Sequence, residues 1–128
     1  MNKRILVVED NPHNMRLMDQ LIQDIDEEIE LIKAETSCEA LGAVKSGHFD
    51  LVLMDMSLPG IDGISLTRQI KECLNMKSTP FIVVTAHAME SDEDIFREFF
   101  EDYISKPIDE EVFEKTIKKW IGDQDFNE

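Results

Sequence analysis

The sequence predicts an α/β fold: a five-stranded parallel sheet with helices on both faces. Three observations predict it. Short continuous apolar runs, Ile5-Leu6-Val7-Val8 and Leu51-Val52-Leu53-Met54 among them, read as strands buried on both sides. Segments with helical spacing of apolar residues separate these runs, and strand–helix alternation implies right-handed crossovers. Ionisable residues follow the runs directly: Glu9 and Asp10, then Asp55, then Lys106-Pro107 after Tyr103-Ile104. The carboxyl ends of parallel strands converge on one edge, where open α/β folds place their sites.

The first strand is expected at 4–8. Asn11-Pro12 opens a helix, because Asn caps helix N-termini and proline suits the first turn. Its apolar positions are Met15, Met18, Leu21, Ile22 and Ile25. A second strand is read at 29–34. A helix from about Ser37 carries Ala40, Leu41 and Val44 on one face and ends near Ser46-Gly47, where glycine suits a C-cap. The third strand is 51–54, and Ser57-Leu58-Pro59-Gly60 forms a turn. Asp62-Gly63 starts a third helix with Ile64, Leu66, Ile70 and Leu74. Pro80 introduces a fourth strand at 81–84, and a fourth helix is expected at about 90–100. The fifth strand is short, 103–105. Asp109 caps a last helix with Val112, Phe113, Ile117, Trp120 and Ile121 inward. Five such strands suggest the flavodoxin-like order 2-1-3-4-5.

The 128 residues fit one domain, read as 1–122, with a short acidic tail at 123–128. No apolar stretch approaches the length of a membrane span. The first apolar run ends in Glu-Asp, which is not a signal peptide, so no membrane insertion is expected. Cys38 and Cys73 lie far apart with no ligand spacing around them, so they read as reduced thiols in a cytoplasmic protein. The net charge is −15, from 28 acids against 13 bases. Such a surface repels phosphate backbones, which argues against direct nucleic-acid binding and favours partners with a basic face.

Three carboxylates and an ammonium aimed at one spot are not a hydrophobic core. They suit a hard divalent cation and a phosphoryl group. Mg2+ prefers oxygen ligands and keeps several waters, so two carboxylates and a backbone carbonyl suffice. Asp55, on the central strand, is the natural nucleophile, since a carboxylate accepts a phosphoryl group as an acyl phosphate. Lys106 offers a point charge on a flexible stem, and the Thr85 hydroxyl offers a hydrogen bond.

These residues resemble the receiver domain of two-component response regulators from Arg4 to about Ile121. The resemblance rests on Ile5-Leu6-Val7-Val8-Glu9-Asp10-Asn11-Pro12, on the stretch from Leu53 through Asp55 to Gly63, on Val84-Thr85-Ala86 and on Asp102-Tyr103-Ile104-Ser105-Lys106-Pro107. Asp10-Asn11-Pro12 and Thr85-Ala86-His87-Ala88-Met89 are similar to single-domain receivers and to those of hybrid kinases. The resemblance implies Asp55 as phospho-acceptor, with Asp10, Asp55 and the Met56 carbonyl as Mg2+ ligands and Glu9 helping through water. It makes Thr85 and Lys106 the phosphoryl contacts, Tyr103 the switch aromatic and the Lys106–Pro107 peptide cis. The implied phosphodonor is a histidine kinase or histidine phosphotransfer protein. The implied output is altered affinity for a downstream protein at the face of the fourth helix, fifth strand and last helix. Such a domain is not an enzyme in the ordinary sense, since it promotes only its own phosphotransfer and dephosphorylation. No output domain follows Ile121, so the chain reads as a stand-alone or an excised receiver.

The chain departs from that family before the fifth strand. The usual glycine is missing from Glu98-Phe99-Phe100-Glu101-Asp102-Tyr103, and acids crowd the expected fourth helix. Phe99 and Phe100 read as core or as a partner-facing patch. His13, His48 and His87 are scattered and not metal ligands; His87 lines the site mouth or sits in a solvated loop. Three other classes compete. A phosphatase with an aspartate nucleophile wants an acid where Ser57 stands. A flavin carrier wants a phosphate loop where Glu9-Asp10 stand. A degenerate receiver used only for docking would not need the complete acid set, Thr85 and Lys106.

Overall fold

The computed structural model describes residues 3–55, 61–72, 79–85 and 100–121. Among them lie five strands: β1 (Arg4–Val8), β2 (Glu30–Ala34), β3 (Leu51–Asp55), β4 (Phe81–Thr85) and β5 (Asp102–Ser105). The helices are α1 (Pro12–Ile25), α2 (Ser37–Val44), α3 (Ile61–Lys71) and a C-terminal helix (Glu110–Trp120). All strands pair in parallel, in the order β2-β1-β3-β4-β5, as expected.

Strand alternation divides the core into two layers. Ile5, Val7, Leu51, Leu53, Ile82, Val84 and Ile104 face α1 and the C-terminal helix, where Met18, Ile22, Phe113 and Ile117 meet them. Leu6, Val8, Val52, Met54, Phe81 and Val83 face the other layer with Val44, Leu66 and Ile70. Phe100 joins this second layer at 5% exposure, which settles it as core; Phe99 lies outside the described residues.

The caps follow from short polar side chains. Asn11 Oδ1 accepts the N–H groups of His13 and Asn14, and Asp109 Oδ1 those of Glu111 and Val112. Thr36 and Glu39 close the start of α2: Thr36 Oγ1 accepts the Glu39 N–H and Glu39 Oε1 accepts the Glu35 N–H.

Four details differ from expectation. Gly47 is not a helix cap; α2 ends at Val44 and Lys45 caps it. A Cβ on Gly47 would stand 2.7 Å from Arg4 Nη1, so the glycine admits a close approach by the guanidinium. Val112 is half exposed rather than inward, because it lies on the flank of the helical stripe whose centre is Phe113 and Ile117. Asp55 and Thr85 belong to their strands instead of following them. Of the helix expected at 90–100 only Phe100 is described, and it is not helical. The turn at 57–60, Cys73, Leu74, His87 and the side chain of Ile64 lie outside the described residues.

The amino ends of the strands are tied together by polar side chains. Arg4 N–H donates to Asp50 Oδ2 at 2.9 Å, its Nη1 donates to the His48 carbonyl at 3.0 Å, and its Nε stands 3.3 Å from Glu30 Oε1. The guanidinium carbon lies 4.6 Å from the centroid of the Phe49 ring. Thr79 Oγ1 donates to the Phe49 carbonyl at 2.9 Å. No helix among the described residues is long and apolar enough to cross a membrane.

Candidate functional site

Register delivers the site. Val8 lies opposite Met54, so Glu9 and Asp55 reach the carboxyl rim side by side. Asp55 lies opposite Val84, and Thr85 lies opposite Ser105, so Lys106 arrives one residue later on β5's side. By alternation Glu9, Asp55 and Lys106 share the face of Val7, Leu53 and Ile104.

Lys106 Nζ donates to Asp55 Oδ1 at 2.8 Å, and the Asp55 side chain is 0% exposed. Glu9 is buried too, with Oε2 accepting the Asn11 N–H at 2.9 Å. The Glu9 carboxyl is held up from 4.5 to about 8, first of all by burial. A hydrogen bond to Asp55, which only the protonated acid can donate, contributes to the rise, as does the Asp55 charge. The Asn11 N–H and the Lys106 ammonium pull the other way. With both acids ionised, Glu9 Oε1 and Asp55 Oδ2 are buried with no hydrogen-bond donor.

Two such oxygens are a demand that a hard cation satisfies. Asp10 stands next door, exposed at the rim. Among the described residues no group of three or more His, Cys, Asp or Glu side chains is gathered to hold a metal by itself. A cation here would therefore complete its shell with water and backbone oxygen, as Mg2+ commonly does.

The structure thus brings Glu9, Asp55 and Lys106 together. Thr85 is buried, and its carbonyl accepts the Lys106 N–H at 3.0 Å. Tyr103 lies opposite Val83 and is 38% exposed. The Lys106–Pro107 peptide is cis. Met56 and His87 lie outside the described residues. Sequence reasoning missed that the Asn11 backbone holds Glu9; the Asn-Pro pair showed the cap but not the direction of the amide.

A five-stranded parallel sheet with an acid pair and a lysine at its carboxyl rim is the architecture of a receiver. The family model of the response regulator receiver domain matches residues 5–118, and the chain belongs to that family. It is 40% identical over 124 residues to the polar-differentiation response regulator DivK of Brucella ovis, covering 96% of this chain and 99% of that protein. It is 37% identical over 123 residues to the sensor protein GacS of Pseudomonas syringae pv. syringae, covering 93% of this chain but 13% of that protein. Among solved structures, it resembles the receiver domain of sensor histidine kinase PA1611 from Pseudomonas aeruginosa PAO1. That match has a TM-score of 0.82 and 28% identity, over 95% of this chain and 99% of that one. That domain carries a magnesium ion coordinated in its active site cleft. The chemotaxis protein CheY4 of Vibrio cholerae shares the fold, with a TM-score of 0.84 at 20% identity over 94% of this chain and 99% of that one.

Proposed function

We propose that this receiver domain is a phosphorylation-dependent switch whose acceptor is Asp55. The phosphoryl group comes from the phosphohistidine of a sensor kinase or of a histidine phosphotransfer protein. An Asp55 carboxylate oxygen bonds to phosphorus as the phosphorus–nitrogen bond breaks, and the departing imidazole keeps the electron pair. Lys106, already 2.8 Å from Asp55, holds a phosphoryl oxygen afterwards. Thr85 supplies a hydroxyl to another. The domain acts as a signalling element, promoting only its own phosphotransfer and dephosphorylation.

The observation that carries this reading is the buried Asp55–Lys106 pair beside Glu9, with one oxygen of each acid lacking a donor when both are ionised. Asp10, Asp55 and the Met56 carbonyl would hold Mg2+, with Glu9 reaching it through water. The ion would neutralise the acids and the incoming phosphoryl charge. The magnesium in the PA1611 receiver supports this choice. Phosphorylation then draws the Thr85 hydroxyl inward and moves the half-exposed Tyr103 ring, a two-state element. The change is read by a downstream protein at the face of β5, the C-terminal helix and the segment before β5. The charge of −15 keeps nucleic acid from being that target.

The experiment is mass spectrometry after incubation with acetyl phosphate and Mg2+. The wild type should gain a phosphoryl group and Asp55→Asn none. Labelling of Asp55→Asn at the wild-type level refutes the assignment.

A further inference from the structure

The first residue of β4 is held by a side chain where a strand would otherwise hold it. Within a strand, the N–H and C=O of one residue point to the same side. The Phe81 carbonyl accepts the Glu101 N–H at 2.8 Å, so the Phe81 N–H also faces the β5 side. Yet β5 begins only at Asp102, opposite Ile82. Phe81 is 0% exposed, so its N–H has no recourse to water.

Glu101 fills this place with its own carboxylate. Oε1 accepts the Phe81 N–H at 2.6 Å. Oε2 stands 3.6 Å from Lys71 Nζ at the end of α3, and that ammonium lies 5.0 Å from the centroid of the Phe81 ring. The backbone and side chain of Glu101 thus grip both polar groups of Phe81, and Lys71 steadies the grip.

β5 needs such a grip. It has four residues, of which only Ile104 is buried. A strand with so little apolar pattern specifies its register weakly, and a slip of one residue turns every side chain to the other face. Such a slip would take Ile104 out of the core and Lys106 away from Asp55. The opposite end of the same ladder is the bond from the Lys106 N–H to the Thr85 carbonyl.

We propose that Glu101 is a register pin for β4 and β5, and so a positioning residue for Lys106. Only the consequence for phosphotransfer rests on the function proposed above.

The test is amide hydrogen exchange by NMR on the whole chain, comparing Glu101→Ala and Glu101→Gln. Glu101→Ala should exchange about tenfold faster at Phe81 and at Lys106, with Leu6 in β1 unchanged. Glu101→Gln keeps an oxygen acceptor and should restore both amides. Unchanged exchange at Phe81 or Lys106, equal acceleration at Leu6, or a Gln variant as fast as Ala would each overturn the pin. A measurement on the wild type guards against a variant that does not fold: a through-bond coupling between the Phe81 amide nitrogen and Glu101 Cδ is expected, and its absence refutes the contact. Labelling of Asp55 by acetyl phosphate should slow in Glu101→Ala and recover in Glu101→Gln. Fast exchange with unchanged labelling removes the link to Lys106. A wild type that takes no phosphoryl group refutes the proposed function and leaves the exchange result standing.

Discussion

Arg4, at the amino rim of the sheet, is answered on every side; Glu9 and Asp55, at the carboxyl rim, are not. The guanidinium has Glu30, the His48 carbonyl and the Phe49 ring, while the Arg4 backbone exchanges bonds with Asp50. The acids across the sheet share a buried site, and when both are ionised each has an oxygen that lacks a donor. Both rims come from the same five strands, so the contrast lies in the residues at the strand ends. The amino rim spends its polar groups on holding the fold. The carboxyl rim keeps an electrostatic demand that the protein alone does not meet, which is what a ligand site requires.

The contrast breaks most severely at Phe49. The ring is fully buried under Arg4, and Phe49→Ala should lower stability by about 3–5 kcal/mol in denaturant unfolding, while Mg2+ still binds. A loss below about 1 kcal/mol would show that the amino rim is not structural.

Next in size is the response of the carboxyl rim to Mg2+ and pH. The folded chain holds the Glu9 proton up to about pH 8, whereas the unfolded chain releases it near 4.5. Without metal, stability should therefore fall as pH rises through that window, and Glu9→Gln should flatten the slope. Mg2+ at a hundredfold excess over its Kd should add about 2.7 kcal/mol at constant ionic strength. The gain should grow with pH, since the cation competes with the Glu9 proton, and Asp10→Ala should blunt it. Melting curves across pH, with and without Mg2+, check both; a pH-independent Mg2+ effect would dissociate the ion from Glu9.

The smallest effect is expected at Gly47. A methyl group there meets the tip of Arg4, which is flexible and can shift. Gly47→Ala should cost under about 1 kcal/mol by thermal unfolding and leave Asp55 labelling untouched. A larger loss would mean that the guanidinium cannot move.

Most of this architecture was legible because buried parallel strands and capped helices write strong local patterns. Ile5 to Val8 and the Asn11-Pro12 pair are enough to place β1 and the start of α1. The site was legible for a related reason: Glu9, Asp55 and Lys106 each lie at a strand end, and parallel pairing aligns strand ends. What was not legible depends on contacts across the chain. Glu101 and Asp102 read only as acids in the stretch that lacks the usual glycine, but Glu101 binds the Phe81 amide and Asp102 the Trp120 indole. The raised proton affinity of Glu9 needs its own burial, first of all, and the hydrogen bond and charge of Asp55, 46 residues away in sequence, which periodicity does not contain. Val112 shares helical spacing with the core stripe, but its angle on the helix surface leaves it half in solvent.

The bond from Trp120 Nε1 to Asp102 Oδ2, at 2.8 Å, has an optical meaning. Trp120 is the chain's only tryptophan, so a single indole dominates its emission. The colour of indole fluorescence follows the local field, and here a carboxylate sits at the ring nitrogen and the Lys119 ammonium 5.2 Å from the ring centroid. This fluorophore ties the C-terminal helix to β5 through Asp102, the residue before Tyr103. The molecule thus carries its own spectroscopic gauge where the C-terminal helix meets β5.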